Sequence, residues 1–281
     1  MNNDDYTIKE SIQKDFKDIK IFNRLKFIEQ ISKKYNMNTN KLFEILLDAD
    51  ISIKKLTKPI NASGKTYFVT RKGIGPLITK YGNFYQTVFE VDDEWKNYTV
   101  ISKSNLDKEN MLPKFDENKD IFLRIDSGCS SGQIFGDLTC ECKDQLNSAM
   151  EILGKKEQGA IIYIQNQDGR GKGIEFKLAT LYLQKQLGVD TIESFTLLEK
   201  NNSTISLDSR SYGGSVAILK FLGATNRIVL STNNTLKLNA LELNDIKAKI
   251  ESLSINPTKY TYHHLKAKEK SLGHNFNRRE E

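Results

Sequence analysis

Hydrophobic residues change their spacing along this 281-residue chain, and the changes divide it. From about Tyr6 to Leu56 apolar positions recur every three to four residues. Ile19, Phe22, Leu25, Ile28 and Ile31 form one stripe, widened by Phe27; Leu42, Phe43, Ile45, Leu46 and Leu47 form a second. That period predicts two helices, each burying one face. The polar stretch Tyr35–Asn40 between them predicts a turn, with Thr39 or Asn40 as N-cap. Two helices about a turn are compatible with a helix-turn-helix, and equally with a plain helical extension, because no base-reading residues stand out. Around Asn61-Ala62-Ser63-Gly64-Lys65 the chain turns polar, which predicts a linker, and Thr66–Thr70 then reads as a strand.

From Gly73 the pattern shortens. Phe84–Val91, Tyr98–Ile101 and Ile121–Ile125 read as strands between turns. Helix and strand then alternate: helix Lys143–Leu153, strand Ala160–Ile164, helices Ile174–Leu187 and Ser215–Leu222, strand Arg227–Ser231. The reading is an α+β catalytic domain over residues 73–281 with a mixed sheet, behind a basic helical extension over 1–72. There is no internal repeat.

Composition adds limits. The chain is 38% hydrophobic, enough for a sizeable core, but its longest apolar runs, such as Ala160–Ile164, are strand-sized and far short of a span of about 18 residues. Met1-Asn2-Asn3-Asp4-Asp5 lacks the basic and apolar regions of an export signal. The expectation is a soluble cytoplasmic protein with no membrane association. The net charge of +6 lies wholly in the first 72 residues, which hold 15 of the 42 basic and 9 of the 36 acidic side chains. Such a segment can touch a polyanion, but a lysine-rich solvated face is the plainer account, so nucleic acid is not expected as a partner.

The three cysteines, Cys129, Cys140 and Cys142, lie within fourteen residues. An odd number without an export signal argues against a disulfide framework. Three buried thiols are one account; their exclusive clustering favours a metal site. Structural zinc sites close four ligands, usually with Cys-x-x-Cys knuckles, whereas here a lone Cys is followed by Cys-x-Cys and the histidines (His263, His264, His274) lie far downstream. Three protein ligands and an open position are the pattern of catalytic zinc; a closed site completed by a distant His or by Asp126 is the alternative.

Three further segments carry chemistry. Gln167-Asp168-Gly169-Arg170-Gly171-Lys172-Gly173, between a strand and a helix, offers close backbone approach and cations to an anion, without the spacing of a dinucleotide fingerprint or P-loop. Asp208-Ser209-Arg210 sets acid and base on one side of an extended segment. Thr232-Asn233-Asn234-Thr235-Leu236-Lys237 is a polar loop with a cation.

In this order the cysteine cluster, Gln-Asp-Gly-Arg-Gly, Asp208–Gly213 and Thr232-Asn233-Asn234 resemble the GTP cyclohydrolase II family, over roughly Ile74–Phe276. The resemblance implies one Zn²⁺ per chain on Cys129, Cys140 and Cys142. It implies GTP contacts by Arg124, Gln145, Asp168, Gly169, Arg170, Thr191, Thr232 and Lys237, Mg²⁺ with the triphosphate, and catalytic roles for Asp208 and Arg210. It implies a homodimer that opens the purine imidazole ring and releases formate and pyrophosphate, in riboflavin biosynthesis. The family pattern makes the arginine at Arg210 a phosphate nucleophile; water oriented by Arg210 and Asp208 is the alternative, because guanidinium is so weak an acid.

This chain departs from the pattern. Asp126 stands for the family's His, Gly128 for its Glu, Asp168 for Glu, and Leu181, beside Tyr182, for a catalytic Tyr. These changes admit a divergent enzyme that stops at a formamidopyrimidine or acts on another heterocycle, and a zinc-stabilised nucleotide sensor.

Overall fold

The structure is a computed structural model that describes residues 24–40, 52–107, 109–199, 208–253 and 257–262. The chain forms two compact units, Met1–Lys54 and Lys55–Glu281.

In the first unit, helix α1 (Arg24–Lys34) ends on Lys33 and Lys34, where cations meet the negative end of the helix dipole. Ile28 and Ile31 are buried while Glu29 and Gln30 are exposed, as the apolar stripe predicts. Thr39 is already helical, so the cap position falls on Asn38, one residue earlier than expected. The second stripe, Ile19, Phe22 and the histidines lie outside the described residues, as do the side chains of Leu25 and Phe27.

The second unit starts earlier than the expected boundary at residue 72. Leu56–Ala62 (β1) and Lys65–Thr79 (β2) are antiparallel strands of the main sheet, so that boundary falls inside β2. Ser63 and Gly64 have φ of 53° and 71°. Two central residues at positive φ make the tight turn whose twist matches an antiparallel pair. The polar stretch read as a linker is therefore a hairpin tip.

The chain continues through β3 (Gly82–Val91), β4 (Asn97–Lys103), a small hairpin of β5 (Asn105–Asp107) and β6 (Leu112–Lys114), and β7 (Ile121–Ser127). Helix α2 (Cys142–Lys155), β8 (Gly159–Ile164), α3 (Ile174–Leu187) and α4 (Thr191–Glu199) follow. Helix α5 (Gly213–Phe221), β9 (Ile228–Ser231), α6 (Thr235–Glu242) and β10 (Ala248–Glu251) complete the described elements. The sheet runs β1-β2-β3-β4-β8-β7-β9-β10. It is antiparallel from β1 to β8 and parallel from β8 to β10, a mixed α+β sheet.

Strands β7 and β8 are buried on both faces, which suits their near-continuous apolar runs. On one face Leu123, Ile125 and Ile162 join Val216 and Ala217 of α5 in the larger core. On the other Phe122 and Ile161 pack with Ala149 and Leu153 of α2. Side chains alternate along a strand, so Arg124 and Asp126 share the α2 face with Phe122. That alternation aims two charged groups at a site.

Candidate active site

Parallel strands β7, β8 and β9 end at one edge of the sheet, where α/β folds gather ligands. The loops leaving them enclose a cavity of about 340 Å³. One side carries sulfur, another carries cations.

Cys129 lies in the loop after β7, Cys140 just before α2, and Cys142 is the first residue of α2. Their sulfur atoms lie within 4.8 Å of one another, and those of Cys129 and Cys140 are 3.5 Å apart. Zinc–sulfur bonds of about 2.3 Å set tetrahedral edges of about 3.8 Å, so the cluster fits such an ion. Gly132 keeps the loop tight: a Cβ there would stand 2.8 Å from Cys140 Sγ. Mutual hydrogen bonds hold the Cys129 thiol well below its ordinary value, with Lys177 adding to the shift, and push Cys140 up to about 11. The cluster by itself therefore favours one thiolate; ionising all three calls for a cation between them.

Gln133 organises the loop. Its Oε1 accepts from the Cys129 backbone N–H at 3.0 Å, and its Nε2 donates to Asp126 Oδ1 at 2.7 Å. Asp126 also accepts from Arg124 Nε at 3.1 Å. Arg124 in turn donates to Gln145 Oε1 on α2 at 2.8 Å and to Ser231 O at 3.3 Å. Asp126 is thus spent on an ion pair and an amide, which argues against it as a fourth metal ligand. Gly128 tolerates no side chain, because a Cβ would lie 2.6 Å from Ile164 O and 2.8 Å from the Tyr163 hydroxyl. Burial, with Asp126 and Asp168 nearby, pushes Tyr163 up to about 12.

On the cationic side, Arg170 sits at φ 57° in the turn Asp168–Gly171. Its guanidinium lies 4.3 Å above the Phe195 ring, and both terminal nitrogens are buried with no hydrogen-bond partner among the described residues. Burial and the neighbouring Arg210 push it down to about 10. Arg210 forms a two-pronged pair with Asp208, its Nε 2.8 Å from Oδ1 and its Nη2 against Oδ2. Burial alone raises the Asp208 pKa, but the hydrogen bonds and charge of Arg210 outweigh it and leave the carboxyl below its ordinary value. Lys237, 4% exposed, donates to Ile125 O at 2.7 Å; burial, with Arg124 and Arg210 near, holds it far below its ordinary value.

Of the residues singled out on the sequence, Arg124, Gln145, Gly169, Arg170, Thr191 and Thr232 line the cavity, as do Lys237, Arg210 and the three cysteines. Asp168 does not: it accepts from the backbone and hydroxyl of Ser130 and buttresses the cysteine loop. Asp208 does not line the cavity either; it accepts from the Arg210 backbone N–H at 3.1 Å. Leu181 faces the cavity whereas Tyr182 is 65% exposed, so the phenol next in sequence does not line it. Gln133, Lys177 and Phe195 escaped the sequence reading. Lys177 lies one helical turn before Leu181, the one signal available for it.

A thiol cluster able to hold a metal, set against several cations above parallel strand ends, is an enzyme-like arrangement. Among known proteins the likeness is specific: the chain belongs to the GTP cyclohydrolase II family, whose profile matches residues 71–251. It is 33% identical to the GTP cyclohydrolase-2 of Picrophilus torridus over 201 residues, 71% of this chain and 95% of that protein. It is also 33% identical to the riboflavin biosynthesis protein RibBA of Phocaeicola vulgatus, covering 70% of this chain and 45% of that one. The RibBA of Endomicrobium trichonymphae is 35% identical over the same shares. The chain thus spans about half the length of these RibBA relatives. No helix among the described residues is long and apolar enough to cross a membrane.

Proposed function

We propose that the chain holds one Zn²⁺ on Cys129, Cys140 and Cys142 and hydrolyses the imidazole ring of GTP. Formate and pyrophosphate leave, giving a diaminopyrimidine ribosyl phosphate for riboflavin biosynthesis. The observation that carries this is the thiol cluster facing Arg124, Arg170, Arg210 and Lys237 across one cavity. Zinc, when bound, supplies the Lewis acid that activates water for attack on an electron-rich ring.

The chain's own residues do the rest. Arg170 offers two unpartnered NH₂ groups to the triphosphate, which Mg²⁺ accompanies as part of the substrate. Arg210 adds positive charge where the leaving pyrophosphate gathers negative charge, and the arriving phosphates favour protonation of the buried Lys237 beside it. Arg210 is paired with Asp208 and held above its ordinary value, because Tyr212 and Asp208 outweigh the effect of burial. A guanidinium so firmly protonated has no free electron pair, which favours water as the attacking group, with Arg210 and Asp208 orienting it. Gln145, Thr191, Thr232 and Gly169 bind the nucleoside. In total two waters release C8 as formate and a third releases pyrophosphate.

Leu181 favours a second reading of the outcome. Without a phenol at that wall, the later hydrolytic step lacks its acid–base group, and a formamidopyrimidine accumulates. Purified protein incubated with GTP, with zinc content and products resolved by mass, tests both. Formate with pyrophosphate supports the first, a retained formyl group the second, and unchanged GTP refutes both. Sedimentation tests the homodimer expected from the family.

A further inference from the structure

A closed ring of contacts joins the cysteine loop to α3. Lys177 Nζ lies 2.9 Å from Cys129 Sγ and 3.6 Å from Asp168 Oδ1. Asp168 accepts from the Ser130 backbone N–H at 3.1 Å and from Ser130 Oγ at 2.8 Å, and Ser130 follows Cys129 in the chain. Among the described residues Lys177 is the cation that hydrogen-bonds a sulfur. Its side chain is 14% exposed, so water screens the contact little.

Three thiolates around one divalent ion leave a net negative charge in a partly buried place. Sulfur that keeps its full electron density also donates more to the ion and weakens it as a Lewis acid. A hydrogen bond from an ammonium opposes both effects, since it withdraws density from sulfur and offsets the charge. From this geometry we infer that Lys177 is a positioning residue of the metal shell: its ammonium, braced by Asp168, compensates the tris-thiolate through Cys129. The inference rests on the zinc reading above. The rival is a plain buried ion pair, Lys177–Asp168, that only fastens two loops.

The test uses the full chain as wild type, Lys177→Met and Lys177→Arg. Metal content, zinc affinity by chelator competition and circular dichroism are measured first. Cobalt is then substituted, and the energy of the sulfur-to-cobalt charge-transfer band is read. The wild type should hold one zinc. Lys177→Met should fold, bind zinc about 10–100-fold more weakly, and move the band to lower energy. Lys177→Arg, which keeps charge and donors, should lie nearer the wild type in both.

Zinc affinity within about twofold of wild type and an unmoved band in Lys177→Met would overturn the inference and leave the zinc reading intact. So would Lys177→Arg shifting the band as far as Lys177→Met. Where Lys177→Met fails to fold, Lys177→Gln decides: losing the charge while keeping a polar side chain should move the band to lower energy, and no movement overturns the inference. A zinc-free wild type overturns the zinc reading itself, and this inference with it.

Discussion

Arg170 carries a charge that the free protein holds at a cost. Its guanidinium is pushed from 12.5 down to about 10 by burial and by Arg210. At about 1.36 kcal/mol per unit, the charged form costs roughly 3 kcal/mol at neutral pH. Stacking on Phe195 returns about 0.5–2 kcal/mol, leaving about 1–2.5 kcal/mol unfavourable in net. Arg170→Met keeps the packing and loses the charge, and both residues bear the same strain at φ 57°. The variant should melt several degrees higher than wild type, at about 2–4 °C per kcal/mol for a chain of this size. For a base whose pKa falls on folding, the penalty is full below the folded value and fades as pH climbs through about 10, so the gap should narrow there. Inorganic pyrophosphate should raise the melting point of wild type more than that of the variant, which keeps Arg210 and Lys237 for it. Thermal melts with and without pyrophosphate read both effects. A variant that melts lower than wild type, or that responds equally to pyrophosphate, would refute the reasoning.

Arg210→Ala should abolish pyrophosphate release while metal analysis still finds zinc; joint loss of zinc would make Asp208–Arg210 a structural pair. Leu181→Tyr should raise formate release, by up to about 10²-fold, whereas Tyr182→Phe should leave it unchanged because that ring faces solvent. Gly128→Ala should lower stability by about 1–3 kcal/mol in denaturant melts, since its Cβ meets the Ile164 carbonyl at 2.6 Å and backbone cannot step aside.

Much of the fold was legible because its signals are local. Helix α3 was read at its observed bounds, Ile174–Leu187, and the apolar runs of β7 and β8 sit in the doubly buried centre of the sheet. The elements missed are short or depend on partners: β10 joins through β9, and α4 is a nine-residue helix in a polar-flanked stretch. Ser63-Gly64 misled because a polar pair marks a linker and a hairpin tip alike until the register of β1 on β2 is known. At the site, the cysteines announced themselves by clustering. The partners of Asp168, Asp126 and Gln133 could not be read, because each bond joins loops that only tertiary folding brings together.

The loop between β3 and β4 has one more consequence. Trp95, the chain's single tryptophan, donates through Nε1 to Ser211 O at 3.2 Å. Its ring lies over Gly171, where a Cβ would stand 2.9 Å from Cη2, and the Arg210 stem borders the same spot at 3.2 Å. The indole therefore touches the segments that carry Arg170 and Arg210. Its emission is a built-in optical gauge of the phosphate binding proposed above: a charge arriving there would change the field across one lone fluorophore, so a titration can be followed continuously, unlabelled, in the intact protein.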